Sequence, residues 1–158
     1  MSYPLSADTF FTGYDDLKKE FYNFFKIRWE TELGKTERIK FPNFPLSPVP
    51  TATESWIEPR LLFGSAKRTC LGTWLDTGKT RNELLFLCRI SINTELNKGY
   101  GKDNSIKASI EEAFPSNFSL KSLKLQKGLS LSPKGDGREV DGFYQAVMDV
   151  PLECLILL

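Results

Sequence analysis

A glycine- and lysine-containing segment is the first candidate for chemistry in this sequence. Gly72-Thr-Trp-Leu-Asp-Thr-Gly78-Lys79-Thr80 approaches the phosphate-binding pattern G-x-x-x-x-G-K-T. The two glycines are separated by one residue more than the pattern has, and the ring of backbone N–H groups around a phosphate depends on that spacing. Alternating apolar residues over 84–92 also predict a strand where a phosphate site needs a helix N-terminus. We therefore expect a hairpin or loop here, and no nucleotide or other cofactor.

The sequence contains no histidine, which restricts the catalysis it could perform. Ser-His-Asp triads, histidine general bases and histidine-ligated metals are excluded. The adjacent acids Asp15-Asp16 and Glu111-Glu112 could act as carboxylate pairs, but neighbouring residues on a helix point in different directions. A solvated helix face is the better interpretation. We expect no catalytic residue and no enzyme.

Three cysteines, Cys70, Cys88 and Cys154, are far apart and lack the C-x-x-C spacing of zinc sites. Their odd number does not indicate a disulfide framework. We expect each to be a small buried hydrophobic residue, with no metal bound.

Positive charge is concentrated at Lys121, Lys124, Lys127 and Lys134, with Phe118 nearby in the sequence. A basic strip beside an aromatic ring can bind single-stranded nucleic acid. Lysines along exposed strand edges also prevent unwanted strand pairing. We favour this second function and expect no direct nucleic-acid contact.

The composition is typical of one globular domain, with 158 residues, 41% hydrophobic and 26% charged. Its 21 Lys and Arg nearly cancel its 20 Asp and Glu, so no global field attracts nucleic acid or an anionic membrane. The N-terminus has no signal-peptide pattern, and the longest apolar run, residues 155–158, is too short to span a bilayer. We expect a protein made in a cytoplasm, with protein partners and no membrane.

The spacing of apolar residues predicts two helices. The first begins at Asp15 and ends at Gly34. The second covers residues 105–114, with Asp103 and Asn104 as caps and Pro115 as the stop. Aromatic residues of the first helix cover more than one face, so we expect part of them to contact another subunit, namely Tyr22 and Phe25, or Phe24.

Period-two patterns predict the strands of an antiparallel or mixed sheet packed by the two helices, hence an α+β fold. Residues 1–13 are expected to be a loose arm before a single domain of residues 14–158. Pro59 places one strand near an edge or a bulge. The expected segments are a proline-rich connector at 42–50, strands at 56–63, 84–92 (central) and 140–152, and patchy strand at 120–131.

Several of these segments, in this order, resemble the tail terminator-like proteins of tailed bacteriophages. The matching features are the strand at 84–92, the Gly-rich turn, the helix ending Glu-Ala-Phe-Pro115 and a last strand Asp141-Gly-Phe-Tyr-Gln-Ala-Val-Met-Asp-Val-Pro-Leu152. Phe41-Pro-Asn-Phe-Pro-Leu resembles the family's segment before the second strand. Residues 1–13, 64–82 and 154–158 have no counterpart in the family.

The resemblance implies a tail terminator-like fold and a virion protein of the tail or neck. It implies a ring, commonly of six subunits, that caps the finished tail tube, stops its growth and offers a surface to the head connector. It implies no catalytic residues. The resemblance also leaves open another neck, tail-completion or head–tail connector protein, and a nucleic-acid-binding accessory domain is the alternative from another class.

Within such an assembly, we expect Lys121, Lys124 and Lys127 to make an electrostatic contact with the tube or the connector. The arm 1–13 or the excursion 64–82 should become ordered on assembly, with Trp74 as the contact residue and reporter.

Overall fold

The computed structural model describes residues 10–68, 79–98, 101–134 and 137–158. These form an α+β fold with two helices on a mixed sheet, as expected. Helix α1 is Tyr14–Ile27, continued by a π-helical turn Arg28–Glu32, and α2 is Gly101–Ala113. The strands are β1 Arg38–Ile39, β2 Trp56–Arg68, β3 Arg81–Glu95, β4 Ser119–Leu120, β5 Leu123–Leu125, β6 Ser132–Pro133, β7 Arg138–Val140 and β8 Phe143–Leu157.

Three long antiparallel strands form the centre of the sheet, in the order β2-β3-β8. Strand β3 lies between the other two, which confirms the predicted central strand. Short strands extend the sheet on both sides: β1 pairs with β2 in parallel, and β5, β6 and β7 pair with β8. The inner face of β3 is buried because alternate residues point to it, namely Leu84, Phe86, Cys88, Ile90 and Ile92.

Helix α1 covers this inner face with one continuous stripe. Leu17, Phe21, Phe25 and Trp29 recur every four residues and are fully buried. The Phe25 and Trp29 rings stack with centroids 5.9 Å apart. The predicted interface role of Phe25 is therefore wrong, because Phe25 shares the core-facing stripe. Gly34 was predicted to end the helix, and it has a φ of +61 just beyond the helical turns, a conformation that favours glycine.

Helix α2 begins at Gly101, earlier than expected. Asp103 therefore lies inside the first turn and is not a cap, and its Oδ2 pairs with Lys107 Nζ at 3.3 Å. A carboxylate is favourable in that turn because the helix dipole is positive there. The helix ends at Ala113, two residues before Pro115, as predicted.

The end of the predicted arm is part of the core. Phe10 is 1% exposed and Phe11 is fully buried. Phe11 bridges to Ile156 in parallel, and its carbonyl oxygen accepts a hydrogen bond from the Leu157 N–H at 2.8 Å. The expectation that the arm is loose is wrong for these two residues. Burying two large aromatic side chains stabilises the fold even where the sequence shows no helical or strand periodicity. Residues 1–9 lie outside the described part.

The hairpin of β2 and β3 is longer than predicted. Strand β2 continues to Arg68 and β3 begins at Arg81, so the expected excursion 64–82 is shorter at both ends. Pro59 pairs in register with Ile90, so the proline marks a strand near an edge of the sheet, and the register shift lies further along, between Phe63 and Ala66. Gly64 belongs there, since a Cβ at this position would lie 2.6 Å from the Leu85 carbonyl oxygen.

A two-residue turn separates β7 from β8. Asp141 and Gly142 both have positive φ, 51 and 83, which suits a tight hairpin with Asp-Gly at its centre. Val140 pairs with Phe143 across it. The predicted strand 140–152 is therefore two strands, and the second continues to Leu157 because the alternation of buried residues persists.

Candidate interaction surfaces

The predicted lysine strip lies around β4 and β5, and its charges are largely compensated. Lys121 Nζ pairs with Glu20 at 3.4 Å, and Lys124 Nζ with Glu153 at 3.3 Å. Lys127 is exposed beyond β5. A cavity of about 430 Å³ between β4, β5 and β8 is lined by Lys121, Lys124 and Glu153. Because acids of the same chain accompany the lysines, this surface is mixed in sign.

Two aromatic expectations have different outcomes. Phe118 is only 7% exposed and packs on Phe24, with ring centroids 5.1 Å apart. It is therefore not a stacking platform for nucleic acid, because its ring belongs to the core. Tyr22 is half-buried beside Phe41, with centroids 5.5 Å apart. Trp74 lies outside the described residues.

The described cysteines are buried, as expected, and Cys70 lies outside the described part. Burial raises the pKa of the Cys88 thiol, and it raises the pKa of Cys154 to about 12. Both thiols are therefore protonated at neutral pH and are weak nucleophiles. Within the described ranges, no group of three or more His, Cys, Asp or Glu side chains is arranged to hold a metal ion. No helix in the part of the chain that the structure describes is long and apolar enough to cross a membrane.

The segment that resembled a phosphate loop leads into a strand. Thr80 N–H donates to the Leu158 carbonyl oxygen at 2.8 Å, and β3 begins at the next residue. The predicted strand after Lys79 is confirmed. Residues 72–78 lie outside the described part.

An ion pair joins β3 to β8 on the outer face of the sheet. Arg89 donates to both carboxylate oxygens of Asp149, at 2.8 and 3.0 Å, and Lys134 Nζ lies 3.6 Å from Oδ2. The Asp149 side chain is 3% exposed. The hydrogen bonds from Arg89 lower the Asp149 pKa more than burial raises it. The cluster binds strands together and has no unpaired acid for catalysis.

The outer edge of β8 is closed by segments of the same chain. Phe11, β5, β6 and β7 each pair with a different part of the strand. Lys134 N–H also donates to the Val147 carbonyl oxygen at 2.9 Å. We call this side of the sheet the closed edge.

The outer edge of β2 has much less cover. Strand β1 pairs only with Trp56 and Ile57, and Lys40 N–H donates to the Ile57 carbonyl oxygen at 2.8 Å. Beyond Ile57, no strand within the described ranges pairs with this side of β2. We call residues 58–67 of β2 the open edge. Pro59 and the bulge interrupt it, and both features limit pairing with a foreign strand.

A groove of about 1010 Å³ runs beside the open edge, between α1, the proline-rich connector and β2. We call it the edge groove. Phe44, in the connector, has 71% of its surface exposed, and Leu62 of β2 has 40%. Four cations and one carboxylate also line it, namely Lys18, Lys19, Lys40, Arg60 and Glu58.

Tyr22 lies at the base of the edge groove. Burial raises its pKa from 10.0 to about 12, although a hydrogen bond with the Leu61 backbone opposes that rise. The phenol is therefore neutral at physiological pH and contacts the backbone of the open edge. Of the predicted interface residues on α1, Tyr22 and Phe24 are both half-buried, and Tyr22 is the one that lines the edge groove.

Sequence reasoning missed the edge groove. Its cations come from three segments, so Lys18, Lys40 and Arg60 form no run in the sequence. The proline-rich connector was treated only as a spacer. An available signal was Phe44, a large aromatic residue between two prolines in a segment too constrained to enter the core.

Comparisons with known proteins give a fold and no family. No family model matches the chain, and no curated protein matches it significantly. Among solved structures, one neighbour has a TM-score of 0.57 at 14% sequence identity, over 87% of this chain and 94% of the other chain. Its designation states no activity or partner. At this identity the likeness shows a shared α+β fold alone.

Proposed function

We propose that the chain is a structural virion protein of tailed bacteriophages. Copies of it form a ring, commonly of six subunits, that caps the tail tube, stops tube polymerisation and joins it to the head connector. The collinear segments that resemble tail terminator-like proteins support this proposal. The two helices on a curled mixed sheet are compatible with it.

The observation that carries the proposal is the open edge of β2 with the exposed Phe44 beside it. An uncovered strand edge favours association with another chain unless something protects it. A contact between two different surfaces of identical subunits closes into a ring when the rotation permits. Among the residues that the structure describes, the edge of β8 is covered and most of the edge of β2 is not, and assembly would give the β2 edge a function.

Deleting the gene in an assembling phage tests the proposal. A tube of repeating rings has no intrinsic end, so we expect tails of abnormal length that do not join heads, seen by negative-stain microscopy. Supplying the protein in trans is the control and should restore both length and joining. Normal tails and normal joining without the protein would refute the terminator function.

The deletion and a DNA-binding assay together separate the alternatives. Tails of normal length that fail to join heads would indicate another neck or head–tail connector protein. If the protein binds a single-stranded DNA oligonucleotide, and substitution of Lys121, Lys124 and Lys127 abolishes that binding, the nucleic-acid-binding accessory domain is favoured. We expect no such binding, because Glu20 and Glu153 compensate two of these lysines.

A further inference from the structure

An exposed acidic surface lies on the other side of α1 from the edge groove. It consists of Glu111 and Glu112 at the end of α2, and Glu32 of the π-helical turn. Arg28 holds them together, since it pairs with Glu32 at 2.7 Å and donates to the Glu112 carbonyl oxygen at 2.9 Å. With Ile27, which is 46% exposed, we call this surface the acidic flank.

The acids of this flank are in an unfavourable place within the subunit. Glu111 and Glu112 lie in the last turn of α2, where the helix dipole is negative and carboxylates are destabilising. Within the described ranges, neither glutamate forms an ion pair with a cation of its own chain. A cationic surface of another molecule would remove this repulsion.

The edge groove has the complementary properties. Its single carboxylate, Glu58, pairs with Arg60 at 2.9 Å and with Lys40 at 3.6 Å. The four cations still outnumber this carboxylate, and Lys18 and Lys19 are exposed. Both surfaces also have an exposed apolar residue, Phe44 in the groove and Ile27 on the flank. Electrostatic complementarity around an apolar centre is typical of specific protein interfaces.

The two surfaces lie on opposite flanks of the helical layer. On one side of α1, Tyr22 packs on Phe41 of the connector, with centroids 5.5 Å apart. On the other side, Phe24 packs on Phe118, with centroids 5.1 Å apart. A single subunit therefore cannot join its own flank to its own groove, whereas neighbouring copies can. Such a contact is head-to-tail, the type that generates rings.

We infer that the acidic flank of one copy docks in the edge groove of the next, so that the end of the neighbour's α2 covers the open edge. The inference depends on the proposed ring and names its interface. Pairing of β2 with a neighbour's β4 is the competing arrangement. That pairing would bring Lys121 and Lys124 towards the cations of the groove, where like charges repel. Pro59 and the bulge also interrupt the part of β2 that would have to pair.

Charge reversal tests this contact in the full chain. One variant is Lys18→Glu with Lys19→Glu, and the other is Glu111→Lys with Glu112→Lys. Like charges then face each other, so we expect each variant to raise the dissociation constant of the ring by about tenfold or more. Sedimentation velocity at low and high salt measures this change. The matched control, Lys98→Glu with Lys127→Glu, lies outside both surfaces and should assemble like the wild type.

Restoring complementarity provides the decisive measurement. An equimolar mixture of the two variants should form rings again, because each groove then meets a flank of opposite charge. A single chain with all four reversals should do the same. Circular dichroism should be unchanged in every variant, and the free energy of unfolding should stay within about 1 kcal/mol of the wild type, since the altered side chains are exposed.

The possible failures are distinguishable. Rings that persist in both variants would overturn the interface and leave the proposed function standing. A wild-type protein that stays monomeric at all concentrations, alone and with tube protein, would overturn the proposed function itself. If Lys18→Glu with Lys19→Glu forms rings but loses binding to a single-stranded DNA oligonucleotide, the groove is a nucleic-acid site and the inference is wrong.

Discussion

The outer edges of β2 and β8, the two strands that flank β3, differ in how far other segments of the chain cover them. Four separate segments of the chain cover the edge of β8, and one of them is the buried Phe11. In the part of the chain that the structure describes, strand pairing covers the edge of β2 at Trp56 and Ile57 alone. Beside it are exposed groups, Phe44 and a set of cations.

This difference shows how one sheet can serve both stability and assembly. A covered edge satisfies its backbone groups inside the subunit, so its contacts contribute to folding. An edge without a partner strand contributes little to folding and offers its backbone to another chain. Substitutions at the closed edge should therefore change the free energy of unfolding, whereas those at the open edge should change association.

The largest expected effect comes from Phe11→Ala at the closed edge. Phe11 is fully buried against Ile156, so its truncation leaves a cavity and weakens the cover of β8. We expect a loss of about 3–5 kcal/mol in the free energy of unfolding. Urea denaturation followed by circular dichroism measures it.

The matched control is Phe44→Ala, the same substitution at the open edge. Phe44 is 71% exposed, so the free energy of unfolding should change by less than about 0.5 kcal/mol. Ring formation should weaken instead. Equal losses of stability in the two variants would remove the distinction between the edges.

A smaller effect is expected from Asp149→Asn, which cuts the ion pair between β3 and β8. Asp149 is buried and accepts two hydrogen bonds from Arg89, whose side chain is 43% exposed and can regain water. We expect a loss of about 1–3 kcal/mol at neutral pH. An unchanged stability would mean that Lys134 and Arg89 contribute nothing to the closed edge.

The pH dependence of this loss identifies its electrostatic origin. The folded pKa of Asp149 is below its ordinary 3.8, so the contribution is present above that value and is lost as pH falls through the lower folded pKa. The wild type should therefore approach Asp149→Asn in stability below about pH 4. Unfolding curves at several acidic pH values measure the convergence.

Much of the closed region could be predicted from the sequence, because its signals are local. The alternation over 84–92 predicts a central strand, and Pro115 predicts the end of α2. The Asp141-Gly142 hairpin was missed, although Asp-Gly between alternating apolar residues is a strong turn signal. Reading residues 140–152 as one strand concealed it.

The surfaces were predicted less well, because they depend on contacts between distant segments. Phe25 and Phe24 differ by one position, yet only the helical phase relative to Leu17 and Phe21 shows that Phe25 is the fully buried residue. The lysine strip was visible in the sequence, whereas its compensation by Glu20 and Glu153 was not. Charge patterns along a chain do not reveal the opposite charges that folding brings beside them.

The smallest expected effect concerns Tyr22, where the open edge contacts its own subunit. Tyr22→Phe removes the hydroxyl that hydrogen-bonds with the Leu61 backbone and leaves the packing on Phe41. We expect a loss of about 0.5–1.5 kcal/mol and faster hydrogen exchange of the Leu61 amide. The closed-edge amide of Leu157, which donates to Phe11, is the internal control and should be unchanged.

The alkaline titration of Tyr22 sharpens the comparison. Burial raises its folded pKa from 10.0 to about 12, so folding favours the protonated phenol, and its stabilising contribution is complete below pH 10. As pH rises from 10 towards 12, the unfolded chain loses this proton first. The wild type should therefore lose stability relative to Tyr22→Phe over that interval. In a phenolate absorbance titration, the variant should lack the one tyrosine that ionises at the highest pH in the wild type. If both proteins follow the same alkaline curve, Tyr22 is solvated, and the open edge has even less cover within the subunit than its contact with Leu61 indicates.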